Sequence, residues 1–168
     1  MKSIFKLFVA AFLTVAPLTA TAQSNVAHIN VQQLISEMPE VIAAQNELAK
    51  LEKDYTTQID NAFKEFQTKA QSYSSDAANQ TDVTNQARQK ELESMQTNLQ
   101  EFRDSAAQEL QKKQMDLMTP LLEKARSAIT KVGEEQGFNY VIDSSPNGGI
   151  ILANGKDLLA DVKKELGF

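Results

Sequence analysis

The chain has 168 residues with 23% charged side chains, 7% aromatics, a formal net charge of −5 and neither tryptophan nor cysteine. Such a composition excludes disulfides, gives no broad attraction to nucleic acid, and supplies too little bulky apolar material for a thick core. One compact domain is the default at this length, and the pattern along the chain departs from it.

Residues 1–22 read as a secretory signal peptide. Met1-Lys2-Ser3-Ile4-Phe5-Lys6 is a positive start, Leu7 to Ala16 is a short apolar run, and Pro17 with Ala20-Thr21-Ala22 completes a small-residue cleavage pattern. The apolar run is shorter than a membrane span, so an exported chain beginning at Gln23 is expected. Loss of Lys2 and Lys6 takes the formal charge from −5 to −7. Without cysteine, no thioether-linked lipid anchor is available at the cleavage site.

Val26-Ala27-His28-Ile29-Asn30 reads as a strand leading into a helix. Asn30 is the N-cap, Gln33 occupies the capping-box position, and Ile29 is placed to staple against Leu34. The helix ends near Met38, because Pro39 disfavours helical geometry in the residue before it and suits the first turn of the next helix.

From Pro39 to Gln136, apolar residues recur at steps of three and four: Val41, Ala44, Leu48, Leu51, Tyr55, Ile59, Ala62, Phe66 and Tyr73, then Leu92, Met95, Leu99, Phe102, Ala106, Leu110, Leu117 and Leu121. That spacing draws one apolar stripe along each of two helices. Residues 71–82 are polar and small and interrupt the stripe, which predicts a loop and closure as an antiparallel hairpin. An outgoing helix of about 36 residues is roughly 55 Å long, wider than a domain of this size. The thin seam leads us to expect a flexible tip.

The returning helix is the longer one. Pro120 removes the hydrogen bond to Asp116, and beyond it Leu121, Leu122, Ala125, Ala128, Ile129 and Val132 form a broad apolar face suited to a sheet. Gly137 is the left-handed cap, followed by Phe138. Phe138-Asn139-Tyr140-Val141-Ile142-Asp143 and Ile150-Ile151-Leu152-Ala153 are strand candidates, with Pro146-Asn147-Gly148-Gly149 in a hairpin between them. Asn154-Gly155 turns again, Asp157 caps, and Leu158, Leu159, Val162 and Leu166 line a last helix with Lys163 and Lys164 in its final turns. Three short strands with open edges invite pairing with another copy, so the body is expected to be completed by oligomerisation.

No enzyme signature is present. Gly149 to Lys156 departs from a phosphate loop in spacing, and Asp157 stands where Ser or Thr is required. A single histidine, His28, leaves no histidine pair for catalysis or multi-histidine metal binding. The acidic residues, Glu91 and Glu93 among them, fall on wet helix faces that offer no concave site. We therefore expect no catalysis, no metal and no cofactor. Lys112, Lys113, Lys124, Arg126 and Lys131 are read as a solvated face, and Asn79-Gln80-Thr81 as a chance sequon.

In order along the chain, these features resemble the OmpH/Skp family of periplasmic outer-membrane-protein chaperones: a signal peptide, Val26-Ala27-His28-Ile29-Asn30-Val31-Gln32-Gln33-Leu34, Ser36-Glu37-Met38-Pro39, a polar hairpin, Pro120-Leu121-Leu122-Glu123-Lys124-Ala125, and Glu134-Glu135-Gln136-Gly137-Phe138-Asn139-Tyr140-Val141-Ile142-Asp143. The resemblance implies an α+β, mostly helical fold: a coiled-coil arm over residues 41–117, with its tip near 74–82, on a small β-rich trimerisation body over 23–40 and 118–168. Three copies would form a jellyfish-like homotrimer that holds unfolded outer-membrane β-barrel proteins between its arms without ATP. The rival expectation is a structural coiled-coil spacer or adaptor that binds folded partners. Tyr55, Phe63, Phe66, Tyr73 and Phe102 are the client-contact candidates, with Phe63 beside the seam. Val26, Ile29, Tyr140, Val141, Ile142, Ile150, Ile151 and Leu152 are the oligomer-interface candidates. Better-known members are strongly basic. This chain is acidic and sets Asp76 and Asp82 at the arm tip against few nearby cations, so contact with membrane or lipopolysaccharide is not carried over.

Overall fold

The computed structural model describes residues 25–168. The predicted signal peptide and the predicted mature start at Gln23 lie outside the described residues. The elements run in the order β1 (Val26–Ile29), α1 (Val31–Glu37), α2 (Pro39–Asp76), a 3-10 turn (Ala77–Asn79), α3 (Asp82–Glu135), β2 (Tyr140–Asp143), β3 (Lys156–Asp157) and α4 (Leu159–Leu166). The chain is thus a helical arm, α2 with α3, rising from a small α+β body. None of the described helices is long and apolar enough to cross a membrane.

The body closes around side chains that the hydropathy pattern marks as inward. Ala27 and Ile29 of β1, Leu34 of α1, Met38 and Val41 at the start of the arm, Ala125, Ala128 and Val132 of α3, and Leu158 and Val162 beside and within α4 form one buried cluster. At 54 residues against 38, α3 outruns α2. Its surplus, beyond Pro120, is the part that packs on the sheet. Gly133 lies where α3 meets β2: a Cβ there would stand 2.7 Å from Val141 Cγ2. At φ +74°, Gly137 ends α3 in the left-handed conformation, with Phe138 N–H donating to Gly133 O at 2.9 Å.

The sheet departs from the predicted arrangement. Its strand order is β2-β1-β3, and both pairings are parallel. Ile150 to Ala153 form no strand, and the Pro146 turn makes no hairpin. Instead β3 is the polar pair Lys156–Asp157, aligned with Ala27 and His28 of β1. Backbone pairing beside β1 selects that short stretch, whereas Ile151 and Leu152, at 102% and 74% exposure, are left in solvent by the described residues. The predicted loop over 71–82 is also shorter than expected, because α2 continues through Ser72, Tyr73, Ser74 and Ser75 to Asp76. Hydroxyls that favour turns are accommodated in this helix by bonding back to it, as Ser75 Oγ does to Gln71 O at 3.0 Å.

A polar knot fixes how the chain enters the arm. The first three N–H groups of α1, which have no partner inside the helix, all find side-chain acceptors. Gln33 N–H donates to Asn30 Oδ1 (2.9 Å), Gln32 N–H to Ser145 Oγ (3.1 Å) and Val31 N–H to Asp143 Oδ1 (3.2 Å). The Gln33 side chain does not close the expected capping box; it donates to Glu37 at 2.9 Å. Ser145 is buried and gives both its N–H and its hydroxyl to Asp143. Ser144 N–H donates to Ile29 O at 2.9 Å, and its hydroxyl meets His28 Nδ1 at 3.1 Å. The residues after β2 are thereby tied to the start of α1, more than a hundred positions away.

Burial pushes the Asp143 carboxyl up, but the hydrogen bonds from Ser145 and from Val31 N–H outweigh it and hold the group below its usual value. A depressed carboxylate contributes its stability above its unfolded-state value and loses it as pH falls through the lower folded one. Replacing Asp143 with Ala is expected to cost about 1–3 kcal/mol in urea unfolding at neutral pH. The gap between wild type and variant should narrow in acid; an equal gap at neutral and acid pH would mean the carboxylate does not hold the knot.

Candidate functional site

Two surfaces stand apart from the body's closed core: the arm and the open side of the sheet. Along the arm, every predicted seam residue except Ala62 is buried or half-buried. The spacing contains two successive steps of four on each helix, Leu51–Tyr55–Ile59 and Phe102–Ala106–Leu110, and such insertions unwind a left-handed supercoil locally. Ala62 is exposed, and its methyl leaves a groove of about 370 Å³ beside Met95, Leu99 and Phe102. Ion pairs brace the lower arm, Lys124 with Glu40 at 2.7 Å and Lys113 with Glu47 at 2.8 Å.

Four of the five aromatic candidates are engaged by the arm itself. Tyr55 and Phe102 meet edge-on across the seam, with centroids 6.0 Å apart at 71°, while the Tyr55 hydroxyl donates to Glu109. Phe66 is half-buried, and Tyr73 belongs to the polar tip. Phe63 differs. It keeps 40% of its surface exposed, with its ring stacked on Phe66 at 6.5 Å.

The tip is closed by charge and hydroxyl groups where the apolar seam runs out. Lys69 Nζ lies 2.6 Å from Glu91 Oε1, and Tyr73 Oη donates to Glu91 Oε2 at 2.7 Å. Arg88 lies over the Tyr73 ring, 4.7 Å from its centroid, and pairs with Asp76 at 3.1 Å. Asp76 therefore has its cation, contrary to the expectation of an acidic tip. The hairpin brings Arg88 back against a residue twelve positions earlier. Lys69 follows the same logic, since it meets Glu91 only once the helices pair, whereas Asn79 reaches Asp76 within the turn itself. Lys69 holds Glu91 below the ordinary carboxylate range, helped by the Tyr73 hydroxyl. Arg88, then Asn79, does the same for Asp76. Glu91 in turn raises both Lys69 and Tyr73.

On the body, the interface candidates separate. Ile29 is 1% exposed in the subunit's own core, so it has no surface to offer a second copy. Val141 also packs against that core, on Gly133. Register places Val26 beside Tyr140 and His28 beside Ile142 on the opposite face of the sheet. Tyr140 is 63% exposed there, and Ile150, Ile151 and Leu152 add an apolar loop. β2 is an edge strand, and along it runs a largely apolar cleft of about 570 Å³ between Ile35, Leu122, Ile129, Phe138 and Tyr140. Sequence reading missed the Asp143–Ser145 knot and the Lys69–Arg88–Glu91 tip. The turn residues Asp143-Ser144-Ser145-Pro146 were the signal for the first. For the second, the signal was the charged side chains continuing the three-four spacing.

Comparison with known proteins agrees with this architecture. The family described as "Outer membrane protein (OmpH-like)" matches residues 25–166, and the chain belongs to that family. A chaperone protein Skp from Yersinia enterocolitica is 25% identical over 159 residues, covering 92% of this chain and 93% of that protein. Among solved structures, an OmpH-like outer membrane chaperone from Caulobacter crescentus superposes with a TM-score of 0.77 at 12% identity, covering 86% of this chain and 85% of that one. The shared fold is therefore the helical arm on its small sheet.

The tip contacts have an acid limit. The depressed carboxylates, Glu91 and Asp76, contribute above their unfolded values, near pH 4, and their contribution disappears as pH falls through the lower folded values. The raised groups, Lys69 and Tyr73, contribute below their unfolded values, about 10, and lose that contribution as pH rises through the higher folded ones. Spin labels on cysteines at Ser74 and Gln86 should give a narrow distance distribution at neutral pH and a broad one once the pH has fallen through the lowered values of Glu91 and Asp76. Labels at Gln45 and Gln114, nearer the body, should change little; equal broadening at both levels would show that the arm opens as one unit.

Proposed function

We propose that this protein is an ATP-independent periplasmic holdase, which binds unfolded outer-membrane β-barrel proteins between the arms of a homotrimer and keeps them from aggregating. Family membership across residues 25–166 carries this reading. The similar Yersinia protein bears the name of a chaperone. The physical form supports it: the arm offers long flanks with dispersed apolar contacts, and weak contacts spread over a large surface hold a client without trapping it.

The open side of the sheet supports self-association. An edge strand beside an apolar cleft, an uncovered face carrying Val26, Tyr140 and Ile142, and the loop of Ile150, Ile151 and Leu152 all gain by being covered by another copy. The trimerisation body is then residues 23–40 and 118–168, and the arm is 41–117. Arms from three such bodies would surround the space in which the client is held. The signal-peptide pattern read in residues 1–22 supports a periplasmic location.

Dilution of a denatured outer-membrane barrel protein into buffer with the mature protein should give little light scattering compared with buffer alone. Equal scattering in both, or a defined complex with a folded envelope protein and indifference to unfolded ones, would favour a spacer instead. Mass by light scattering is expected to be that of a trimer for wild type and of a monomer for Ile151→Asp. Ile151 is wholly exposed in the single chain, so this charge leaves the subunit's own core intact. A trimeric Ile151→Asp protein would show that the loop lies outside the interface.

A further inference from the structure

The middle of the arm carries a groove of about 530 Å³ on the side opposite Ala62's, bounded by Phe63 and Phe66 on α2 and by Leu99, Gln100 and Arg103 on α3. Leu99, 9% exposed, is its floor. The Phe63 ring, stacked on Phe66, forms an apolar wall that the arm leaves 40% in solvent. Arg103 lies at one end and forms no hydrogen bond or ion pair with any described residue, unlike Lys69, Arg88, Lys113 and Lys124 elsewhere on the arm. Glu93 closes the other end, already accepting a hydrogen bond from Gln89 at 3.1 Å. Arg103 lies ten helical steps beyond Glu93, a span of about 15 Å. That length fits four or five residues of extended chain.

We propose that this groove is a client subsite for an extended segment carrying an aromatic side chain, which lies against Phe63, with a carboxylate one or two residues away, which pairs with Arg103. The proposal rests on the holdase reading and assigns that activity a local chemistry. Its basis is complementarity: an exposed aromatic wall takes an aromatic ring, and the free guanidinium takes a carboxylate. The acid at the far end makes the groove polar along its length, so the client's negative end lies at Arg103. A segment with a cation in place of the carboxylate would put like charges together.

The test uses the full mature protein and two labelled, otherwise Gly/Ser decapeptides, one containing Phe-Gly-Asp and the other Phe-Gly-Lys, followed by fluorescence anisotropy. The Asp peptide should bind about two- to fivefold more tightly, the size of one solvent-exposed ion pair. Arg103→Gln should abolish that preference, and Phe63→Ala should weaken both peptides. Backbone amide shifts on peptide addition should centre on Phe63, Gln100 and Arg103. A preference that survives Arg103→Gln, or shifts confined to the body, would overturn the subsite. So would peptide-driven growth in mass, which would indicate a site for another copy. The aggregation assay separates the two claims: wild type that fails to suppress scattering defeats the holdase reading, whereas suppression with no peptide preference defeats only the groove.

Discussion

The parallel pairing of β1 with β2 constrains everything else in the chain. These strands lie side by side and in register from Val26 with Tyr140 to Ile29 with Asp143, yet the whole arm intervenes between them. The polypeptide must leave the body and return to the same place. A long hairpin meets that requirement, and the capping of α1 by Asp143 and Ser145 fastens the point of return to the point of departure. The extra length of α3 is a consequence: one helix must both descend the arm and cover the sheet.

Cohesion changes along the arm. At the root, Val41, Ala44, Ala125 and Ala128 are buried, and the contact is that of a closed core. In the middle, Leu99 and Ala106 are the buried positions, flanked by half-covered aromatics and open grooves. At the end, Lys69, Tyr73, Asp76, Arg88 and Glu91 hold the helices together by charge. Hydrophobic contact weakens towards the tip, while the body keeps the apolar material needed for folding.

Much of this was legible in the amino-acid sequence because it is local. The three-four spacing marks the two helices and nearly every seam residue. Asn30, Pro39 and Gly137 mark helix ends through properties of single residues. What escaped depends on partners distant in sequence. Lys156 and Asp157 have no intrinsic claim to a strand, and only their alignment with Ala27 and His28 makes them one. Ile150 to Ala153 carry the composition of a strand without a pairing neighbour among the described residues. Ser72 to Ser75 look like a turn but stay helical. Among the candidate site residues, periodicity separated Phe63 from the seam, but it could not reveal that Ile29 points into the subunit's own core.

The uninterrupted run of α3 from arm tip to body core gives the molecule a lever. About 24 Å of that helix, from Pro120 onward, is seated on the sheet, and about 57 Å projects beyond it. Tilting the seated part by 1 Å across its length carries the far end through about 2 Å. Minor adjustments in how Ala125, Ala128 and Val132 nest against the strands are therefore magnified at the tip, whose position is set from the bottom of the helix.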